Sequence, residues 1–196
     1  MLQHEVAMRL LNYLEAMDAS LNILELPVDT TERHLKTIDV EHHAIHEGIE
    51  FEYDRLFTAV AQDGYVRIHI FNDDGKELHV QFFTDTEAKA YVKSYIDSTY
   101  TNAGTLVTQW NRKTGATTVS VAKVYHTPTV NVLGSLRVTA MTGASGNQSN
   151  QAGGSTGSRV ESIITTGHDI LIEVQNKGSS AKDIAISARW YEVPGV

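Results

Sequence analysis

The segment Glu41-His42-His43-Ala44-Ile45-His46-Glu47-Gly48 gathers three imidazoles and two carboxylates in eight residues, the side-chain set that holds a divalent metal. His42 and His46 stand four apart, so a helix places both on one face, where they would chelate an ion with Glu47 as a further ligand or as a base. On a strand, residues 42, 44 and 46 share one face and 43, 45 and 47 the other, which splits the set. The order also departs from hydrolytic patterns. H-E-x-x-H puts the glutamate between the histidines, where it polarises the metal-bound water. H-x-x-E-H is missed because the string runs His43-Ala44-Ile45-His46-Glu47. A metal-dependent hydrolase built on His42, His43, His46 and Glu47 therefore stands as the alternative to a chain with no metal, no cofactor and no catalytic residue.

Other chemistries have less behind them. The chain carries no G-x-S-x-G elbow, no P-loop and no G-x-G-x-x-G opening a helix after a strand. Asp73 and Asp74 lie in a turn signal, where Asp is expected for backbone reasons. Tyr91, Tyr95, Tyr100 and Trp110 would make an aromatic sugar-binding platform if one face collected them, although strands favour aromatic residues in any case. His69, His79, His126 and His168 show no spacing that suggests shared ligation. There is no cysteine, which removes thiol nucleophiles, disulfides and Cys-type zinc sites.

The elements that must position these residues differ along the chain. Leu2, Val6, Leu10, Tyr13, Leu14 and Met17 recur at helical spacing, and Pro27 ends any such helix by about Glu25. A short amphipathic helix of this kind is not stable alone and must bury its stripe against the body, a sister subunit or another protein. A polar, extended connector follows to Val40. Beyond Gly48 the period becomes two. Val66, Ile68 and Ile70 alternate with Tyr65, Arg67 and His69, Asn72–Lys76 signals a turn, and Leu78, Val80 and Phe82 resume the alternation, which predicts a hairpin. Further alternating stretches at 88–97, 104–111, 116–126, 130–140, 169–176 and 183–193 predict a mainly β fold, an antiparallel β-sandwich of jelly-roll-like form. The Gly-rich, uncharged Thr142–Ser158 reads as a long exposed loop. The expected organisation is an amino-terminal helix and acidic arm at 1–40 and a sandwich body at 41–196.

Composition agrees with a sizeable core: 41% of the 196 residues are hydrophobic. Net charge is −8, unevenly spread. Residues 1–50 carry ten acidic and three basic side chains, against fourteen and thirteen in the remainder. An acidic arm on a near-neutral body argues against nucleic-acid binding, which needs clustered Lys and Arg. No apolar run approaches the ~18 residues of a spanning helix and no secretory pattern opens the chain, so a protein made in the cytoplasm and not held in a membrane is expected.

Several strings in order resemble a family of tailed-bacteriophage virion proteins, the head decoration or cement proteins and related minor structural proteins. They are EHHAIHEG at Glu41–Gly48, YIDSTYTNAGTLVTQWNRKTGATTVSV at Tyr95–Val121, VYHTPTVNVLGSL at Val124–Leu136, ESIITTGHDILIEVQNKG at Glu161–Gly178 and IAISARWYEV at Ile184–Val193. The similarity spans roughly 41–196; the stretch from Phe51 to Ala88 departs from it. The resemblance implies a β-sandwich body without catalytic activity, trimeric, attached to the outer capsid surface of the virion with the major capsid protein as partner. A tail, collar, fibre or receptor-binding role in the particle is the nearest alternative. The resemblance points to His42, His43, His46, Glu47 and Gly48 at the arm–body junction and to Asn111-Arg112 as structure and contact residues. The helical stripe Leu2, Val6, Leu10, Leu14 and Met17 would reach across the capsid surface.

Overall fold

The structure is a computed structural model that describes residues 40–142, 150–152 and 161–195. The expected amino-terminal helix, with Leu2, Val6, Leu10, Leu14 and Met17, and most of the Gly-rich loop lie outside the described residues.

The body opens with one short helix, α1 (Val40–Glu47), and continues entirely in strands among the described residues. Gly48 ends the helix. Its φ of 71° is the left-handed conformation that favours glycine, and it lets the Gly48 N–H reach Ile45 O and the Ile49 N–H reach Ala44 O, each at 3.0 Å. Both bonds satisfy carbonyls of the last helical turn. Of the two conformations the histidine cluster allowed, the helical one is the one adopted.

Several of the long strands alternate in burial as their sequences alternate in polarity, whereas Asp169–Asn176 is buried along nearly its whole length. The long strands are β1 (Glu50–Val60), β2 (Tyr65–Asn72), β3 (Lys76–Thr86), β4 (Ala90–Ile96), β10 (Ser135–Thr142), β13 (Asp169–Asn176) and β14 (Lys182–Pro194). Shorter ones lie between: β5 (Thr99–Asn102), β6 (Thr105–Val107), β7 (Trp110–Asn111), β8 (Ala122–His126), β9 (Thr129–Val132), β11 (Asn150–Ala152) and β12 (Ser162–Ile164). One sheet runs β11-β3-β14-β1-β7, with β12 also on β3; the other runs β10-β4-β13-β2-β8-β6; β5 and β9 form a separate ribbon.

The pairings are nested. β1 pairs β14, β2 pairs β13, β3 pairs β12 and β11, and β4 pairs β10, all antiparallel. Alternate pairs fall in opposite sheets, as when one long hairpin is rolled on itself, which is the connectivity of a jelly roll. The inner faces meet in a single core. Phe51, Leu78, Val80, Ile184, Ile186 and Trp190 come from the first sheet, and Val66, Ile68, Ile70, Val92, Ile170 and Ile172 from the second. Fully burying each side chain of this size is worth about 1.5–3 kcal/mol, so the facing apolar rows are the main term holding the layers together.

Several sequence expectations change. β2 and β3 do not form a hairpin, because Asn72–Lys76 carries the chain from one sheet to the other. The buried Asn72 side chain donates to Lys76 O at 2.7 Å and to Ile164 O at 2.8 Å, anchoring that crossing. The expected strand at 104–111 divides into β6 in the second sheet and β7 in the first. The expected strand at 116–126 begins only at Ala122, because the preceding residues bond to a side chain in place of a ladder. Ser120 Oγ and Val121 N–H both donate to the buried Glu192, at 2.6 and 2.8 Å, and Lys76 Nζ meets its other oxygen at 2.9 Å. In the Gly-rich segment, Asn150–Ala152 forms β11 against Thr84–Thr86 of β3.

Candidate functional site

Among the places where polar side chains collect, two bear on a candidate site. The first is the junction between α1 and β1, which contains the histidine cluster. His43 and Glu47 are exposed and face each other one helical turn apart, with His43 Nε2 4.0 Å from Glu47 Oε1. Ala44, between the histidines, is buried. The His46 carbonyl accepts from Lys113 Nζ at 2.7 Å. The side chain of His42 lies outside what the structure describes. No group of three or more His, Asp or Glu side chains able to hold a metal occurs among the described residues.

Asn111 and Arg112 belong to this junction. Asn111 Nδ2 donates to Gly48 O at 2.8 Å, and its Oδ1 accepts from the Lys113 N–H at 2.9 Å. The Arg112 N–H bonds to Glu50 O at 3.0 Å while its guanidinium Nη1 donates to the Glu50 carboxylate. Glu50 is 1% exposed, so the guanidinium balances a charge that burial alone would not tolerate. These residues hold the start of the body to the loop after β7.

The second place went unmarked in the sequence. It lies on the outer face of the second sheet, below the β5–β9 ribbon. On β2, Ile68 and Ile70 point into the core, so His69 and Phe71 point outward. Register sets His69 beside Leu171 of β13 on one side and Tyr125 of β8 on the other. The His69 ring stacks on Tyr100 of the ribbon, centroids 4.1 Å apart, and on Tyr125 at 5.4 Å. Tyr100 then donates its hydroxyl to Asp169 Oδ2 at the start of β13.

His69 is 4% exposed, and among the described residues neither ring nitrogen makes a side-chain hydrogen bond; Nε2 lies 3.4 Å from Asp169 Oδ2. Burial drives its pKa down to about 4, with the nearby Ala103 backbone opposing only part of that, so the imidazole is neutral at neutral pH. Burial likewise pushes the Asp169 carboxyl up, against the lowering effect of the Tyr100 hydroxyl and backbone donors, and pushes the Tyr100 hydroxyl up. At the rim Asp97, in a left-handed backbone conformation with φ 57°, accepts from His168 Nδ1 at 2.6 Å. A cavity of about 460 Å³ opens among these groups.

The aromatic platform raised from sequence does not form as one surface. Tyr100 lies over the second sheet, Tyr95 is buried, and Trp110 is exposed on β7 at the margin of the first sheet. His69 and Asp169 are a hundred positions apart in the chain. The one sign of them was His69 on the polar phase of an alternating strand, a phase that exposed and covered residues share.

No family model, no curated protein and no solved structure matches the chain.

Proposed function

We propose that this chain is a structural component of a tailed-phage particle, a decoration protein that binds the outer capsid surface as an oligomer and stabilises the shell. One observation carries the reading: large apolar side chains stand exposed at the margins of both sheets. Trp110 on β7 is 66% exposed and Ile163 on β12 57%; on the second sheet Leu106 on β6 is 59% exposed, with Leu136 and Met141 on β10 at 55% and 61%. β6, β7 and β12 contain no charged residue and no Pro, while β10 carries Arg137 and an irregularity in its pairing between Leu136 and Val138. Margins so composed favour a chain that spends its working life against neighbours. The ordered strings resembling cement proteins supply the identity of the neighbours: other copies of the chain, as a trimer, and the major capsid protein.

The physics of such a role is mass action. A protein that binds only the assembled, expanded shell stabilises it by RT ln(1 + [L]/Kd) per site, without any bond-making chemistry. Rotational symmetry suits it to junctions where several shell subunits meet. The test is the copy number of this protein relative to the major shell protein in purified particles. A ratio of one copy per few shell subunits supports decoration, a handful per particle supports the tail or collar alternative, and absence from the particle overturns both.

A further inference from the structure

We infer that the edge of β1 beyond β7 docks the same edge of a second copy of this chain, about a two-fold axis at Leu56. The Glu192 N–H donates to Ile49 O and the Arg112 N–H to Glu50 O, while β1 and β14 pair in the register Glu50↔Tyr191. In an antiparallel ladder the bonding side alternates from residue to residue, so odd-numbered residues of β1 bond β14 and even-numbered ones face away from it. β7 takes up Phe51 and Glu52 and then leaves the sheet. Among the described residues no strand pairs with that side of β1 beyond Glu52, so the N–H and C=O groups of Asp54, Leu56 and Thr58 are turned to the open edge. All three residues are exposed, Leu56 by 57%. A row of unpaired ladder groups is a template for one kind of occupant, another extended strand.

The side chains along this edge select the strand. Asp54 and Arg55 discourage indiscriminate pairing, since an incoming strand must match a carboxylate and a guanidinium one residue apart. The same segment, reversed, does so in one register. Two-fold pairing centred on Asp54 sets carboxylate against carboxylate and brings the second strand into β7 at Glu52. Centred on Arg55 it opposes two guanidinium groups, and centred on Phe57 it enters the irregularity before Val60. Centred on Leu56 it sets Leu56 against the partner's Leu56 and Asp54 against the hydroxyl of the partner's Thr58. Arg55 then faces the partner's Phe57, the ring it already lies over within its own strand at 5.8 Å. Each residue meets the one that meets it, as an isologous contact requires. The contact goes beyond the capsid reading: it needs no shell protein and is measured apart from shell binding.

The chain has no cysteine, so a single introduced thiol reports its own neighbour. The experiment is mild oxidation of the full chain, read on a non-reducing gel, for Leu56→Cys, Asp54→Cys, and an equimolar mixture of Asp54→Cys with Thr58→Cys. Thermal melts show each variant folded. Directly opposed residues of a hydrogen-bonded pair have Cα atoms about 5.5 Å apart, within disulfide reach. Leu56→Cys is expected to form a disulfide dimer at least tenfold faster than Asp54→Cys alone, and the mixture to form the mixed dimer as readily as Leu56→Cys dimerises. The mixture, compared with Asp54→Cys alone, keeps the test open should Leu56→Cys fail to fold. No dimer from folded Leu56→Cys, no mixed dimer, or Asp54→Cys alone crosslinking as fast as either would overturn the inference.

Discussion

Tyr100 of the ribbon and His69 of the second sheet lie face to face at 4.1 Å, and the same tyrosine donates its hydroxyl to Asp169, next to His69 in the fold. This one side chain ties β5 to β2 and β13. Tyr100→Phe keeps the stack but removes one donor from a buried carboxylate. Asp169 keeps its backbone donors, so the loss is that of one hydrogen bond, about 0.5–1.5 kcal/mol, and the urea midpoint should fall accordingly with an unchanged slope. An unchanged midpoint would show that the hydroxyl contributes nothing to holding the ribbon.

Acid should weaken the fold through His69. Its folded pKa, about 4, is below the ordinary value of 6.5, so the unfolded chain takes up this proton first as pH falls. Stability contributed by the neutral imidazole is whole above about pH 6.5 and is lost as pH falls toward 4, on the order of 3 kcal/mol across that window. Asp169, whose pKa is raised, acts in the opposite sense: its contribution is present below the ordinary carboxyl value and is lost as pH rises through its folded pKa. His69→Phe, which keeps an aromatic ring between the tyrosines, should show a flatter Tm between pH 7 and 5 than the wild type.

At the α1–β1 junction, Arg112→Ala removes the guanidinium from the buried Glu50 carboxylate. Breaking a buried pair from one side costs roughly 3–5 kcal/mol, and the partial exposure of Arg112 puts this case at or below the lower end. Gly48→Ala should cost about 1 kcal/mol for its left-handed backbone. An added Cβ there would also press Lys113 Cδ at 3.3 Å. Denaturant titration of both variants checks the ranking.

The margin residues should behave differently from the core. Leu106→Lys, Leu136→Lys and Met141→Lys replace exposed side chains, so each should change stability by no more than about 0.5 kcal/mol. Self-association measured by sedimentation should nevertheless weaken at least tenfold when the three are combined. Equal association of wild type and triple variant would remove the margins from the interface.

Strand identity was legible because alternation reports which residues face a core, and it does so at Val66, Ile68 and Ile70 without knowledge of partners. Partnering was not legible. Asn72–Lys76 marks a reversal equally well whether the chain returns within one sheet or crosses to the other, since both place Leu78 and Val80 on the core side. The cavity was hidden for a related reason. His69, Tyr100, Tyr125 and Asp169 meet only through register and the laying of a ribbon over a sheet, neither of which leaves a local spacing. Asn111 and Arg112 were singled out by resemblance as structure and contact residues; in the fold they bond to Gly48 and Glu50, a pairing that no periodicity encodes.

The most direct measurement is titration of the purified full chain onto expanded shells that lack it, followed by heating. Saturable binding with a raised disruption temperature, both lost in the Leu106→Lys, Leu136→Lys, Met141→Lys combination, is the expected result. Shells that take up no protein at any concentration, and break at the same temperature with or without it, would contradict the account.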